Sequence, residues 1–114
     1  MQVHGKCHCG EIEYEAKVDP QKVVICHCTD CQILTGCAYR ISVPTTVSDY
    51  KLISGKVKSY IKTADSGNRR SQTFCQTCAT PIYAEDTDNP TTRTLRIGCI
   101  EERAELIPKK QIWC

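Results

Sequence analysis

Cys26-His27-Cys28-Thr29-Asp30-Cys31 places three thiols on six consecutive residues, and two shorter groups flank it, Cys7-His8-Cys9 upstream and Cys75-Gln76-Thr77-Cys78 downstream. A tetrahedral zinc ion holds its sulfur ligands at about 2.3 Å. Two ligands this close in sequence must sit on a turn that points both sulfurs at one centre, as C-x-C and C-x2-C turns do. One such spacing is a weak signal; three in one chain point to metal. Seven thiols do not divide into two sets of four. Four thiolates make a closed structural zinc, whereas three leave a position for water or substrate, so the count predicts one full site and one open one. Spacing alone leaves two divisions in competition. Either the C-x-C pair joins the C-x2-C pair and leaves Cys26, Cys28 and Cys31 as a separate triple, or the first two groups combine. The former is favoured, because the triple is a self-contained claw that needs no distant partner.

The composition also asks for something besides burial to hold the fold. The chain has 114 residues, the size of one domain, so residues 1–114 are read as a single domain. Hydrophobic residues make up 40% and aromatics 6%, a thin core, while ten cysteines exceed the roughly 8% at which cysteine content signals a cross-linked scaffold. Lysine and arginine outnumber aspartate and glutamate by 15 to 13, a formal charge of +2. Seven thiolates around two divalent ions would shift that to about −1. Neither value suits a nucleic-acid or anionic-membrane partner, and Arg69-Arg70 is too small a basic pair to change this. Met1 to Cys7 has no apolar stretch of signal-peptide length, and apolar runs such as Val23 to Cys26 fall far short of the ~20 residues a membrane helix needs. A cytoplasmic location is expected, where thiols stay reduced and close cysteine spacings serve metals rather than disulfides.

Around the cysteines the hydrophobic pattern is short and of period two. Ile12, Tyr14 and Ala16 alternate with Glu11, Glu13 and Glu15, the signature of a half-buried strand. Further strands are predicted at Val23 to Cys26, Tyr39 to Val43 (stopped by Pro44), Leu52-Ile53, Val57 to Thr63, Ser71 to Phe74, Ile82 to Ala84 and Thr94 to Ile100. Ala64 to Asn68, with Ser66-Gly67-Asn68, reads as a turn and Asp86 to Thr92 as a loop. Helix is confined to single turns at Asp30 to Leu34 and Glu101 to Leu106. The fold class is a small all-β domain of short strands tied by metal.

These motifs, in this order, resemble the glutathione-dependent formaldehyde-activating enzymes, also called the centromere protein V/GFA domain. The matching residues are Cys7-His8-Cys9-Gly10, then Cys26-His27-Cys28-Thr29-Asp30-Cys31 with Thr35-Gly36, then Arg70 ahead of Phe74-Cys75-Gln76-Thr77-Cys78 with Thr80-Pro81, and Ile112-Trp113. The resemblance implies a zinc-stapled β-tent of short antiparallel strands and two Zn2+ per chain. It places a structural zinc on Cys7, Cys9, Cys75 and Cys78 and a catalytic zinc on Cys26, Cys28 and Cys31. The activity implied is that of a carbon-sulfur lyase forming S-hydroxymethylglutathione from glutathione and formaldehyde. Two departures stand out. Ala79 occupies a position where the family usually has glycine, which would strain it if a positive φ is needed there. The sequence also stops at Cys114, where relatives usually continue for a short tail.

An open three-thiolate zinc carries a net charge of about −1, so it suits a soft sulfur ligand better than it polarises a carbonyl. The leading expectation is therefore an enzyme acting on a small thiol-aldehyde adduct; the alternative is a zinc-stabilised β-tent module that binds a partner or carries a thiol without catalysis. Zinc-ribbon nucleic-acid binding is disfavoured by charge, and an iron-sulfur protein is a further possibility for such clusters. His8 and His27 are expected to point away from the metal. Asp30 reads as a helix-start residue rather than a base. Arg69 and Arg70 are candidates for gripping a substrate carboxylate, with a solvated turn as the plainer reading. Cys37 and Cys99 read as small buried apolar residues, Trp113 as a packing residue and Cys114 as an exposed terminal thiol.

Overall fold

The computed structural model describes residues 1–112; the readings of Trp113 and Cys114 lie outside them. Ten strands follow one another as β1 (Gln2–Lys6), β2 (Glu13–Lys17), β3 (Val24–Cys26), β4 (Arg40–Thr46), β5 (Tyr50–Ser54), β6 (Val57–Thr63), β7 (Arg69–Cys75), β8 (Pro81–Asp86), β9 (Thr92–Arg96) and β10 (Lys110–Ile112). One short helix, α1 (Thr29–Thr35), follows β3, and Arg103–Glu105 forms a 3-10 turn within the predicted Glu101 to Leu106 segment. The protein is mostly β, in two sheets: β1-β2-β5, and a larger one in the order β10-β3-β4-β9-β8-β7-β6. All strand pairs are antiparallel except β10 with β3, which run parallel.

The core lies between the sheets. Val3, Tyr14 and Ala16 of the small sheet meet Val43, Tyr83 and Leu95 of the large one. Strand β2 buries Tyr14 and Ala16 on one face and leaves the glutamates on the other, as its alternation predicts. Strand β1 has little apolar content to announce it. It exists because Val3 is buried and because Gly5 lets the Tyr14 ring lie on the backbone, where an added Cβ would overlap that ring.

Two predicted strand ends differ from the observed ones by three residues or more, each for a local reason. Strand β4 continues through Pro44 to Thr46, because β3 has already ended at its Ser42 partner and one edge of β4 has no ladder to interrupt. Strand β9 stops at Arg96, and Ile97–Cys99 turns as 3-10 helix instead of extending to Ile100.

The feature that positions the site is the second face of the large sheet. Cys26 lies opposite Arg40 across β3 and β4, and Ser42 lies opposite Arg96 across β4 and β9. These four side chains share the face away from Val43 and Leu95. Helix α1 lies against β4 on one side of the sheet, yet Asp30 pairs with Lys62 on the opposite edge strand, β6. The sheet is thus curved enough for α1 to bridge its two ends over the Arg40 face.

Candidate metal centres and the adjoining cleft

The structure gathers the seven clustered cysteines into two groups. The Sγ atoms of Cys7, Cys9, Cys75 and Cys78 all lie within 4.8 Å of one another, and so do those of Cys26, Cys28 and Cys31. Cys7 and Cys9 Sγ are 3.6 Å apart, and Cys9 and Cys75 Sγ 3.8 Å. Tetrahedral sulfurs about 2.3 Å from a shared ion are roughly 3.8 Å apart, whereas a disulfide brings them to about 2.05 Å. All nine described cysteines are free. The donor sets fit metal, and sulfur at every corner fits zinc. Among the described residues neither His8 nor His27 belongs to these groups; His8 is exposed, and His27 pairs Nε2 with Gln111 Oε1 at 2.9 Å.

The four-sulfur group joins the β1–β2 turn to the β7–β8 turn. Backbone N–H groups point at its sulfurs: Ile12 donates to Cys7 at 3.2 Å, and Thr77 and Cys78 donate to Cys75 at 3.4 and 3.5 Å. Thr80 links the two turns. Its Oγ1 accepts the His8 N–H at 3.1 Å and lies 3.1 Å from Cys78 Sγ, so its own proton is free to donate to that sulfur. The Thr80 hydroxyl, with backbone N–H groups of Cys9 and Thr80, holds the Cys78 thiol down at about 5. Such donors fix ligand orientation and favour the thiolate. Ala79 has φ of 64° and donates its N–H to Cys75 O at 2.9 Å, so the tight turn after Cys78 does take the left-handed conformation that glycine would occupy without strain. Glu11, which the sequence did not mark, accepts the Thr77 hydroxyl beside this group.

The three-sulfur group is built by the strand-to-helix corner. Cys26 ends β3, Cys28 caps α1 and accepts the Cys31 N–H at 3.3 Å, and Cys31 is buried in the first turn. Gly36 at φ 66° ends the helix. Burial pushes the Cys26 thiol up to about 12; burial acts the same way on Cys28, but the Cys31 N–H together with hydrogen bonds from the Cys31 and Cys26 thiols outweighs it and draws Cys28 below its ordinary value. Asp30 occupies the first helical turn, as expected, and pairs with Lys62.

Beside the helix run two connected clefts of about 250 and 330 Å3, which meet at Arg40, Pro81 and Arg96. Leu34, Tyr60 and Phe74 wall the first, and Tyr39, Ile41 and Cys99 the second. The expected arginines are displaced. Arg69 and Arg70 open strand β7 rather than a turn; Arg69 is held by Asp88 at 2.5 Å, and neither lines a cleft wall. Arg40 and Arg96 line both. Sequence missed them because Arg40-Ile41-Ser42-Val43 reads as a strand with a wet polar face, and only the curvature covers that face. Cys99 is buried as predicted, and burial pushes its thiol up to about 11; Cys37 is exposed instead, because the chain leaves α1 on the surface.

Two sheets joined at a four-sulfur group, with a three-sulfur group at one strand-to-helix corner, define a cysteine-rich β protein able to hold two metal ions. The chain belongs to the glutathione-dependent formaldehyde-activating enzyme (GFA) family, whose model matches residues 2–114. It thereby joins an enzyme family with a glutathione-related, formaldehyde-activating function. The fold is similar to a crystal structure of a Rhodobacter sphaeroides protein, with a TM-score of 0.74 and 20% identity over 97% of this chain and 99% of that one. No curated protein matches the chain. No helix among the described residues is long and apolar enough to cross a membrane.

Proposed function

We propose that the chain is a zinc-dependent carbon-sulfur lyase that forms or cleaves S-hydroxymethylglutathione or a closely related thiol-aldehyde adduct in the cytoplasm. Cys7, Cys9, Cys75 and Cys78 would hold a structural zinc, and Cys26, Cys28 and Cys31 a second one with a vacant position. The unequal division of sulfur carries this reading, because a three-donor group leaves a coordination position that a four-donor group fills, and the helix that holds Cys31 also walls a cleft through Leu34.

A bound zinc would supply a soft, electrophilic partner for a thiol sulfur, lowering the pH at which it ionises. The chain's residues do the rest. The Cys31 N–H on Cys28 fixes one donor, the β3 ladder fixes Cys26, and the walls from Leu34, Tyr60 and Phe74 exclude water from one side of the cleft. In the synthetic direction the substrate sulfur forms a bond to the formaldehyde carbon, the carbonyl π pair moves to oxygen, and the thiol proton ends on that oxygen. Cleavage is the reverse. Because the addition also proceeds unaided, the gain comes mainly from holding sulfur and aldehyde together.

Exchange of 13C-formaldehyde with its glutathione adduct, followed by NMR, tests this. Zinc-loaded protein at catalytic concentration should raise the exchange rate, and Cys28→Ser should remove the increase. An exchange rate unchanged even at stoichiometric protein would favour the non-catalytic binding or carrier module.

A further inference from the structure

Arg40 is an oddly placed cation. Its side chain lies on the covered face of the large sheet at 7% exposure, its Nε has no hydrogen-bond partner, and no carboxylate among the described residues pairs with it. Arg96 stands one strand away on the same face and donates only to neutral oxygens, to Ser42 Oγ at 2.8 Å and Gln72 Oε1 at 3.0 Å. Two other arginines are paired with acids, Arg69 with Asp88 and Arg93 with Glu85. Covering two like charges without a counter-ion is costly unless something else completes the site. Burial, then the charge of Arg40, pulls Arg96 down to about 9. The nearby three-sulfur group, carrying about −1 with a divalent ion bound, offsets one of the two cations and leaves the other.

We infer that Arg40 and Arg96 form a carboxylate subsite at the junction of the two clefts, which seats an acid group of the thiol substrate while its sulfur lies toward Cys26, Cys28 and Cys31. Guanidinium groups match carboxylates in geometry and gain charge-assisted hydrogen bonds, and the free Arg40 Nε–H is the donor such a group would take up. The cleft walls of Leu34, Tyr60 and Phe74 would cover the apolar stem between acid and thiol. The identity of the thiol rests on the function proposed above; the arginine pair does not.

Zinc-loaded protein, with arginine Nε–Hε resonances assigned by their loss in Arg40→Lys and Arg96→Lys, is titrated with sodium acetate against a sodium chloride control. Acetate should shift both resonances saturably, and glutathione should compete with it. Arg40→Gln should weaken glutathione binding by about 10-fold to 100-fold, and the diethyl ester of glutathione should bind wild type about as weakly as the acid binds the variant. Circular dichroism and zinc content report whether the variants fold; if they do not, triple-resonance assignment of the wild-type Nε–Hε signals replaces them and the acetate titration decides. Acetate shifts no larger than chloride shifts overturn the subsite. Acetate binding without competition by glutathione keeps the carboxylate site and overturns glutathione as its ligand, whatever the exchange assay gives.

Discussion

Asp30, in the first turn of α1, pairs with Lys62 on β6, so the helix that presents Cys28 and Cys31 is tied to the far edge of the large sheet. The hydrogen bond that Lys62 Nζ donates to the Asp30 carboxylate holds Lys62 above its ordinary pKa. Both side chains are open to solvent, at 40% and 45% exposure, so the pair adds little to global stability and acts locally. In Lys62→Ala the thermal midpoint should hardly move, while amide hydrogen exchange over residues 31–35 should accelerate. Unaltered protection there would mean the helix is held by its packing on β4 alone.

The two sulfur groups should respond differently to the loss of one ligand. Cys28→Ser should lower metal content from near two ions per chain to near one, with the far-ultraviolet spectrum preserved. Cys78→Ser should unfold the domain, because that group clamps the β1–β2 turn to the β7–β8 turn and structural zinc contributes folding free energy directly. Metal analysis with circular dichroism reads both. Equal losses of fold would erase the distinction between the sites.

Ala79 offers a sharper test of local strain. At φ 64° it bears the left-handed penalty of about 1 kcal/mol or more for a residue with a Cβ. Glycine removes that penalty, but its greater freedom in the unfolded chain gives part of the gain back. Ala79→Gly should therefore stabilise the zinc-loaded protein by roughly 0.5 kcal/mol, seen as a higher denaturant midpoint at constant slope. A lower midpoint would contradict the strain.

His4 should give the small sheet a pH dependence of known sign. Its Nδ1 lies 2.6 Å from Glu102 Oε2, and this hydrogen bond raises His4 above its ordinary 6.5. Burial acts to raise Glu102, but the side-chain and backbone hydrogen bonds it accepts from His4, with its own backbone N–H and the His4 charge, together outweigh burial and lower it from 4.5. The His4 contribution is complete below 6.5 and fades as pH rises through the folded value; that of Glu102 is complete above 4.5 and fades as pH falls through its lowered value. The pair therefore helps most between these limits. An NMR titration should place the His4 midpoint above 6.5 and return it toward 6.5 in Glu102→Gln.

The cysteine spacings and the alternation of Ile12, Tyr14 and Ala16 carried most of the fold, because ligand geometry and pleat are local rules. Cys26, Cys28 and Cys31 meet within one strand-to-helix corner, so their proximity is written in six consecutive residues. Arg40 and Arg96 are different. Their meeting depends on the ladder from β3 through β4 to β9 and on how far the sheet curves under α1, neither of which leaves a trace near residue 40. Strand β10 was likewise invisible, since Lys110-Gln111-Ile112 has no periodicity and exists only because β3 offers an edge. Cys37 was misread for the opposite reason: a thiol is usually buried, and nothing nearby reveals that its segment lies on the surface.

The four-sulfur group draws on opposite halves of the chain, with Cys9 and Cys75 meeting across 66 positions. On the ribosome, then, Cys7 and Cys9 emerge long before their partners and wait as bare thiols. Any oxidant or scavenging ion met during translation finds them unprotected, so the yield of correctly assembled protein should depend on the reducing capacity and zinc supply of the cell that makes it.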